Sequence, residues 1–265
     1  MLFILKKKAL FNPKNKLCNN SNIHNTIRKY LRSIKRIVRY IPNIGIDRFC
    51  PICKMPSKKF RKFGIVPRED AQCTYCGALE RHRLVWVYLE KMTDIFNGYA
   101  KKVLHVAPEP SFERLLKKRL KGGYITADLN DPNAMIKMDI TNIPYPDDTF
   151  DVVYCSHVLE HVPDDRRAIR ELYRVLKTNG WALILAPITA EKTIEDLSIT
   201  DPNIRLKRFG QEDHVRRYGP DFLERLEEVG FFVKVIHPSQ FLSSKQILRM
   251  GITKSAGEIY YCTKR

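Results

Sequence analysis

Phe150-Asp-Val-Val-Tyr-Cys-Ser-His-Val-Leu-Glu-His161 is the stretch whose reading decides the fold. Asp151–Cys155 is a short, near-continuous apolar run, the pattern of a central strand buried on both faces of a sheet. The run gives way to polar residues at Ser156-His157. Asp164 and Asp165 then stand where a helix cap is needed, and Ala168, Ile169, Leu172, Val175 and Leu176 share one face of the helix that follows. Asn179-Gly180 reads as its stop, and Trp181–Ala186 as the next buried strand.

Upstream, Val103–Ala107 reads as a strand, Phe112–Lys121 as a helix ended by Gly122-Gly123, and Tyr124–Ala127 as a second strand. Leu79–Lys91 reads as an amphipathic helix leading into them. Downstream, residues 188–219 are polar and irregular; Asp221–Val229 predicts a helix, and Phe231–Ile236 and Glu258–Cys262 predict strands. Alternation of this kind predicts an α/β fold, a doubly wound and mostly parallel sheet. Ligands of such sheets sit beyond the carboxyl ends of the strands. Asp128, Asp139, Ile140, Ser156 and His157 all fall there, and the carboxylate of Asp128 can accept both hydroxyls of a ribose.

Val103–Ile188 resembles the class I S-adenosylmethionine-dependent methyltransferases, particularly the type 11 subgroup. The likeness is most specific in Asp139-Ile140, in residues 150–161 and in Arg170-Glu-Leu-Tyr-Arg-Val-Leu-Lys-Thr-Asn-Gly180, and extends over about residues 100–236. It implies a Rossmann-like fold with S-adenosylmethionine as cofactor. It further implies that Asp128 binds the ribose, that Asp139 and Ile140 meet the adenine, and that Cys155, Ser156 and His157 line the point of methyl transfer. One segment departs from the pattern. Where the family carries an acidic, glycine-rich loop, this chain reads His105-Val-Ala-Pro-Glu-Pro-Ser111, with no glycine and two prolines that remove amide donors. His105, Ala107 and Glu109 are the cofactor candidates of this loop, Glu109 for the methionine ammonium, and Ser111 is a candidate helix cap.

Methyl transfer needs an acceptor stripped of its proton if it carries one, and histidine accepts a proton near neutral pH. His157, His161 and His214 are the candidates. Asp213, His214, Arg216, Arg217 and Tyr218, in the polar 188–219 stretch, are the candidate acceptor contacts. Two adjacent arginines suit an acidic acceptor, a small molecule, glycan or lipid-linked intermediate, through forked hydrogen bonds.

Cys50-x-x-Cys53 and Cys73-x-x-Cys76 stand 19 residues apart, the spacing of a zinc ribbon that closes a four-thiolate structural zinc site. His82 is an alternative ligand. Scattered free cysteines and paired C-x-x-C motifs point to a reducing, cytoplasmic setting.

The formal charge of +18 is concentrated at the N-terminus, where residues 1–49 carry 12 Lys/Arg against one acid. Ile27, Leu31, Ile34, Val38 and Ile41 recur at helical spacing among those basic residues, a basic amphipathic helix ended by Pro42. Its apolar stripe can pack on the main domain, or the helix can lie on an anionic membrane surface or a nucleic acid. The expected organisation is a basic segment over 1–48, a zinc ribbon over 49–80 and a methyltransferase domain over 81–265. Two further function classes fit the same text: an RNA methyltransferase, and a scaffold that has kept the fold without the cofactor.

Overall fold

A computed structural model describes residues 43–264. The basic helix expected over residues 23–41 lies outside them. Gly45–Arg265 is one compact unit.

Two short antiparallel hairpins come first: β1 (Arg48–Phe49) with β2 (Pro56–Ser57), and β3 (Arg61–Phe63) with β4 (Arg68–Gln72). Helix α1 (Glu80–Met92) leads into β5 (Val103–Val106), α2 (Pro110–Leu120), β6 (Tyr124–Asp128), β7 (Ile136–Lys137), β8 (Phe150–Ser156), α3 (Asp165–Val175) and β9 (Leu176–Leu185). Beyond these lie β10 (Ile194–Glu195), α4 (Pro202–Phe209), β11 (Arg216–Arg217), α5 (Phe222–Glu227), β12 (Phe232–Ile236), α6 (Ser244–Arg249) and β13 (Ile259–Thr263). The seven-stranded sheet runs β12-β13-β9-β8-β5-β6-β7. Pairing is parallel from β9 through β7, while β13 inserts antiparallel between β12 and β9. From β5 the chain builds outward first through β6 and then, on the other side, through β8. The order therefore reverses between β5 and β8, which opens a crevice at the carboxyl ends of those two strands.

Alternation along the strands sends side chains to two cores. Val152, Tyr154, Trp181, Leu183 and Leu185 face one side, with Trp86 and Leu89 of α1 and Phe112 and Leu116 of α2. Cys50, Ile52 and Phe60 belong to that same core, so the cysteine hairpins share the apolar interior of the sheet. Val153, Cys155, Ala182 and Ile184 face the other side, against Ile169 and Leu172 of α3 and Phe222 and Leu226 of α5.

Arg83 of α1 joins the hairpins to the turn that follows α6. Its side chain is fully buried, and its guanidinium donates to the carbonyls of Ala71, Ala78 and Asp70 on one side and of Met250 and Gly251 on the other. The same guanidinium stacks 4.2 Å above the Phe60 ring. Gly251 has φ +58°, and a Cβ there would lie 2.8 Å from Phe60 and 3.1 Å from the Arg83 guanidinium. Only glycine fits both the conformation and the space.

Three elements differ from the expectations. The helix after Asp164 stops at Val175 rather than at Asn179-Gly180, because Leu176 already pairs with Phe150 and the extra residues before Trp181 are absorbed as an irregularity in β9. Lys264 Nζ reaches the freed carbonyls of Tyr173 and Leu176 at 3.2 and 2.9 Å and so completes the helix end. The 188–219 stretch holds helix α4, capped by Asp201 with Pro202 in its first turn and closed by Gly210 at φ +92°. Helix α6 begins at Ser243, whose side chain and Gln246 form a reciprocal capping box. Among the described residues no helix is long and apolar enough to cross a membrane.

Candidate active site and metal centres

The carboxyl ends of the parallel strands carry the expected cofactor candidates. Ala107, just past β5, and His157, just past β8, both have left-handed backbone, φ +49° and +56°. Each turns sharply off its strand while its amide stays engaged, Ala107 with the Ala127 carbonyl and His157 with the Leu185 carbonyl, both at 2.8 Å. Left-handed geometry is costly for side chains other than glycine, and such residues gather where ligands bind. Asp128 ends β6, where its Oδ1 accepts the amides of Asn130 and Asp131 at 2.7 Å each. Asp139 is exposed and its Oδ1 binds the amide and hydroxyl of Thr141, while Ile140 beside it is buried. Ser156 is buried, with no hydrogen-bond partner for its Oγ.

The glycine-free loop is organised around Glu109. His105 does not face the crevice: it is fully buried on the helix side of β5, its Nδ1 2.6 Å from the Tyr124 hydroxyl and its Nε2 3.0 Å from Glu109 Oε2. The carboxylate only accepts, so Nε2 carries the proton and Tyr124 donates to Nδ1. His82 Nδ1 accepts the Leu79 amide, which turns its Nε2 toward Glu109 Oε1 at 3.4 Å, and the Tyr154 hydroxyl reaches the same oxygen at 3.5 Å. Burial opposes charge on Glu109, but His105 and His82 beside its two oxygens outweigh it and hold the carboxyl well below its usual range. His105, expected as a cofactor contact, is instead the group that positions Glu109. Ser111 lies one residue inside α2, its Oγ 3.3 Å from His82 Nδ1, and the capping position belongs to Glu109. Sequence patterns offered His82 only as an alternative zinc ligand and missed Tyr124 and Tyr154, which read as core residues of two strands.

On the other side of the crevice, the turn after β8 meets the end of the 188–219 stretch. His157 Nδ1 lies 3.3 Å from Glu160 Oε1, His161 Nδ1 lies 3.1 Å from Asp213 Oδ2, and the rings of His161 and His214 meet edge to face at 4.6 Å. Glu160 was not singled out by its sequence context. Its side chain is buried, and although burial opposes its charge, the hydrogen bond from His157 and the neighbouring charges keep its carboxyl below the usual range.

Two expected acceptor contacts do not face the crevice. Arg216 is 1% exposed and its guanidinium donates to Glu195 and to the carbonyls of Leu159, Val162 and Pro163. Tyr218 is fully buried and donates to Asp165 Oδ2 at 2.6 Å. Adjacent charges in a polar stretch read as surface, but carbonyls of the 159–163 turn need donors, and these side chains supply them. Arg217 is half-buried, hydrogen-bonded to Thr189.

The four paired cysteines converge. Their Sγ atoms lie within 4.8 Å of one another, with Cys50–Cys76 at 3.6 Å and Cys53–Cys73 at 3.7 Å. Bonds of about 2.3 Å from four thiolates to one tetrahedral zinc separate the sulfurs by about 3.8 Å. Each pair sits on its own knuckle of the same kind: the amide of Lys54 returns to the Cys50 carbonyl and that of Gly77 to the Cys73 carbonyl, each from a left-handed residue. His82 is turned to Glu109, away from this set.

A family model described as a methyltransferase domain matches residues 90–184. Among curated proteins, the chain is 35% identical over 75 residues to the uncharacterized methyltransferase YcgJ of Bacillus subtilis, which is 28% of this chain and 28% of that protein. It is 35% identical over 98 residues to the ubiquinone/menaquinone biosynthesis C-methyltransferase UbiE of Xanthomonas oryzae, 29% of this chain and 39% of the relative. The chain thus spans well under half the length of these relatives. Among solved structures, a S-adenosylmethionine-dependent methyltransferase from Mesorhizobium loti superposes with TM-score 0.48 at 14% identity, covering 68% of this chain and 96% of that one.

Proposed function

We propose that the chain is an S-adenosylmethionine-dependent methyltransferase whose crevice lies at the carboxyl ends of β5, β6 and β8, with a structural zinc in its cysteine hairpins. The observation that carries this reading is the pair of left-handed, non-glycine residues Ala107 and His157 flanking the reversal of strand order, with the Asp128 carboxylate on the next strand. The methyltransferase-domain match over residues 90–184 supports it.

In this reading the cofactor supplies a sulfonium methyl group. Asp128, its Oδ1 fixed by two amides, is oriented to take the ribose hydroxyls. Ile140 offers an apolar surface to the adenine and Asp139 an acceptor for its amino group. Glu109, clamped by His105 and His82, presents a permanent negative charge to the methionine ammonium. His157, 26% exposed at the end of β8 and held through Nδ1 by Glu160, is the group placed to take a proton from the acceptor. Arg217, the less buried of the two arginines, is the candidate contact for an acidic acceptor.

Calorimetric titration of the full chain with S-adenosylmethionine tests the assignment. Binding is expected, and Asp128→Ala is expected to weaken it about 10- to 100-fold, the loss of charge-assisted hydrogen bonds. No heat at millimolar cofactor would instead leave a scaffold that has kept the fold. The loop carries its own prediction. Glu109→Ala is expected to weaken cofactor binding by about tenfold or more, while His105→Gln, which keeps a polar group beside Glu109, costs less. The reverse order would mean that the methionine end lies elsewhere.

A further inference from the structure

We propose that Glu160, His161 and His214 bind a divalent transition-metal ion, a second metal centre separate from the cysteine hairpins. Each of the three offers one ligand atom, and these atoms lie within 4.8 Å of one another. Metal bonds of about 2.0–2.2 Å to nitrogen and oxygen ask for ligand separations of roughly 3.0–3.4 Å, a closure within reach of small side-chain rotations.

Hydrogen bonding decides which atoms point inward. His161 Nδ1 faces the Asp213 carboxylate and His214 Nδ1 faces the Phe209 carbonyl at 3.3 Å, both partners that only accept. Each Nδ1 therefore carries the proton, and each Nε2 presents a lone pair. Holding a histidine through its other nitrogen, by a carboxylate or a carbonyl, is how proteins orient metal ligands. Two of these groups also carry a polar atom that lacks a partner. His214 Nε2 and Glu160 Oε2 are both buried without a hydrogen-bond partner, on side chains 4% and 1% exposed. Buried polar atoms of this kind are rare and ask for a partner. Glu160 Oε1 is already taken by His157, so Oε2 is the oxygen left for an ion.

The two halves of the site are more than fifty residues apart in sequence but locked together. The Val215 amide donates to the Glu160 carbonyl at 3.0 Å, and Arg216 binds the carbonyls of Leu159, Val162 and Pro163 around it. Arg216 thus acts as the positioning residue of the centre. Two imidazoles and one carboxylate suit zinc, iron(II) or cobalt(II) better than magnesium or calcium, which prefer all-oxygen shells. Three protein ligands leave coordination positions open, and His161, 34% exposed, lies on the open side. The ion itself does not depend on the cofactor assignment; that its open positions face the methyl acceptor rests on it.

The experiment is equilibrium dialysis of the full chain against cobalt(II), with metal counted by mass spectrometry and the absorption spectrum recorded. The cysteine site reports through thiolate charge-transfer bands and the second site does not. The His161→Ala/His214→Ala double variant is expected to bind one ion fewer per chain than the wild type while keeping the thiolate bands, which also certifies its fold. Glu160→Gln, nearly isosteric, is expected to weaken the second ion by at least about tenfold. The proposal is overturned if the wild type takes up cobalt only with thiolate bands, or if either variant binds as many ions as tightly as the wild type. That result would assign the orphaned atoms to a buried water.

Discussion

Serine in place of Cys73 is expected to remove one zinc per chain and to lower the thermal midpoint by about 10 °C or more. Cys73 is fully buried and its Sγ is one of four converging sulfurs. Serine is a poor zinc ligand at neutral pH. Structural zinc sites contribute about 10–16 kcal/mol of apparent binding energy to the folded state, so even partial loss is large. The loss does not stay local, because Cys50, Ile52 and Phe60 share a core with Trp86, Phe112 and Leu183. For a unit of this size a loss of about 4 kcal/mol lowers the midpoint by roughly 8–16 °C. Scanning calorimetry with metal analysis on the same samples checks the prediction, and unchanged zinc content together with an unchanged midpoint would falsify it.

Arg83→Met is expected to cost about 4 kcal/mol. Methionine fills much of the volume and removes a buried charge, which on its own favours the variant. Against this stand the buried and half-buried carbonyls of Asp70, Ala71, Met250 and Gly251, which lose a donor, while the Ala78 carbonyl keeps the Cys73 amide. Each orphaned group costs about 1–3 kcal/mol, with relaxation reducing the sum. Lysine retains the charge but cannot spread its donors over two sets of carbonyls as a planar fork does, so Arg83→Lys is expected to fall between. Urea unfolding of the three proteins decides it. A methionine variant within about 1 kcal/mol of the wild type would mean that the carbonyls find water or other donors.

The longer strands of the main sheet, β5, β6, β8, β9, β12 and β13, were legible as largely apolar runs bounded by turn residues, whereas the short β1–β4, β7, β10 and β11 carry no such run. The cysteine site was legible from spacing alone. Other features were hidden for a common physical reason: a charged side chain reads as surface unless its partners are known. Arg216 and Arg83 carry the same letter as solvent-exposed arginines, and their carbonyl partners lie between five and 168 residues away. Glu160 was overlooked between two more conspicuous histidines, since nothing in its neighbours announces that its carboxylate turns inward. Helix α4 did leave a trace, Asp201-Pro202, a cap followed by a proline suited to a first turn; its polar composition obscured it. His105 misled for the opposite reason, its position at a strand end suggesting exposure where alternation put it inside.

The arginine that ties the hairpins to Met250 and Gly251 also sets an order of events during synthesis. Residues 48–92 leave the ribosome early, whereas the carbonyls that complete the Arg83 shell are 167 and 168 residues further along. At about 5–20 residues per second that interval is on the order of ten seconds or longer. Until then a nascent chain holds a cationic side chain with only the Asp70, Ala71 and Ala78 carbonyls to satisfy it. A module translated well before residue 250 is therefore among the last to be finished, and chains stalled or truncated before residue 250 should be selectively open to proteolysis at the β1–β4 hairpins.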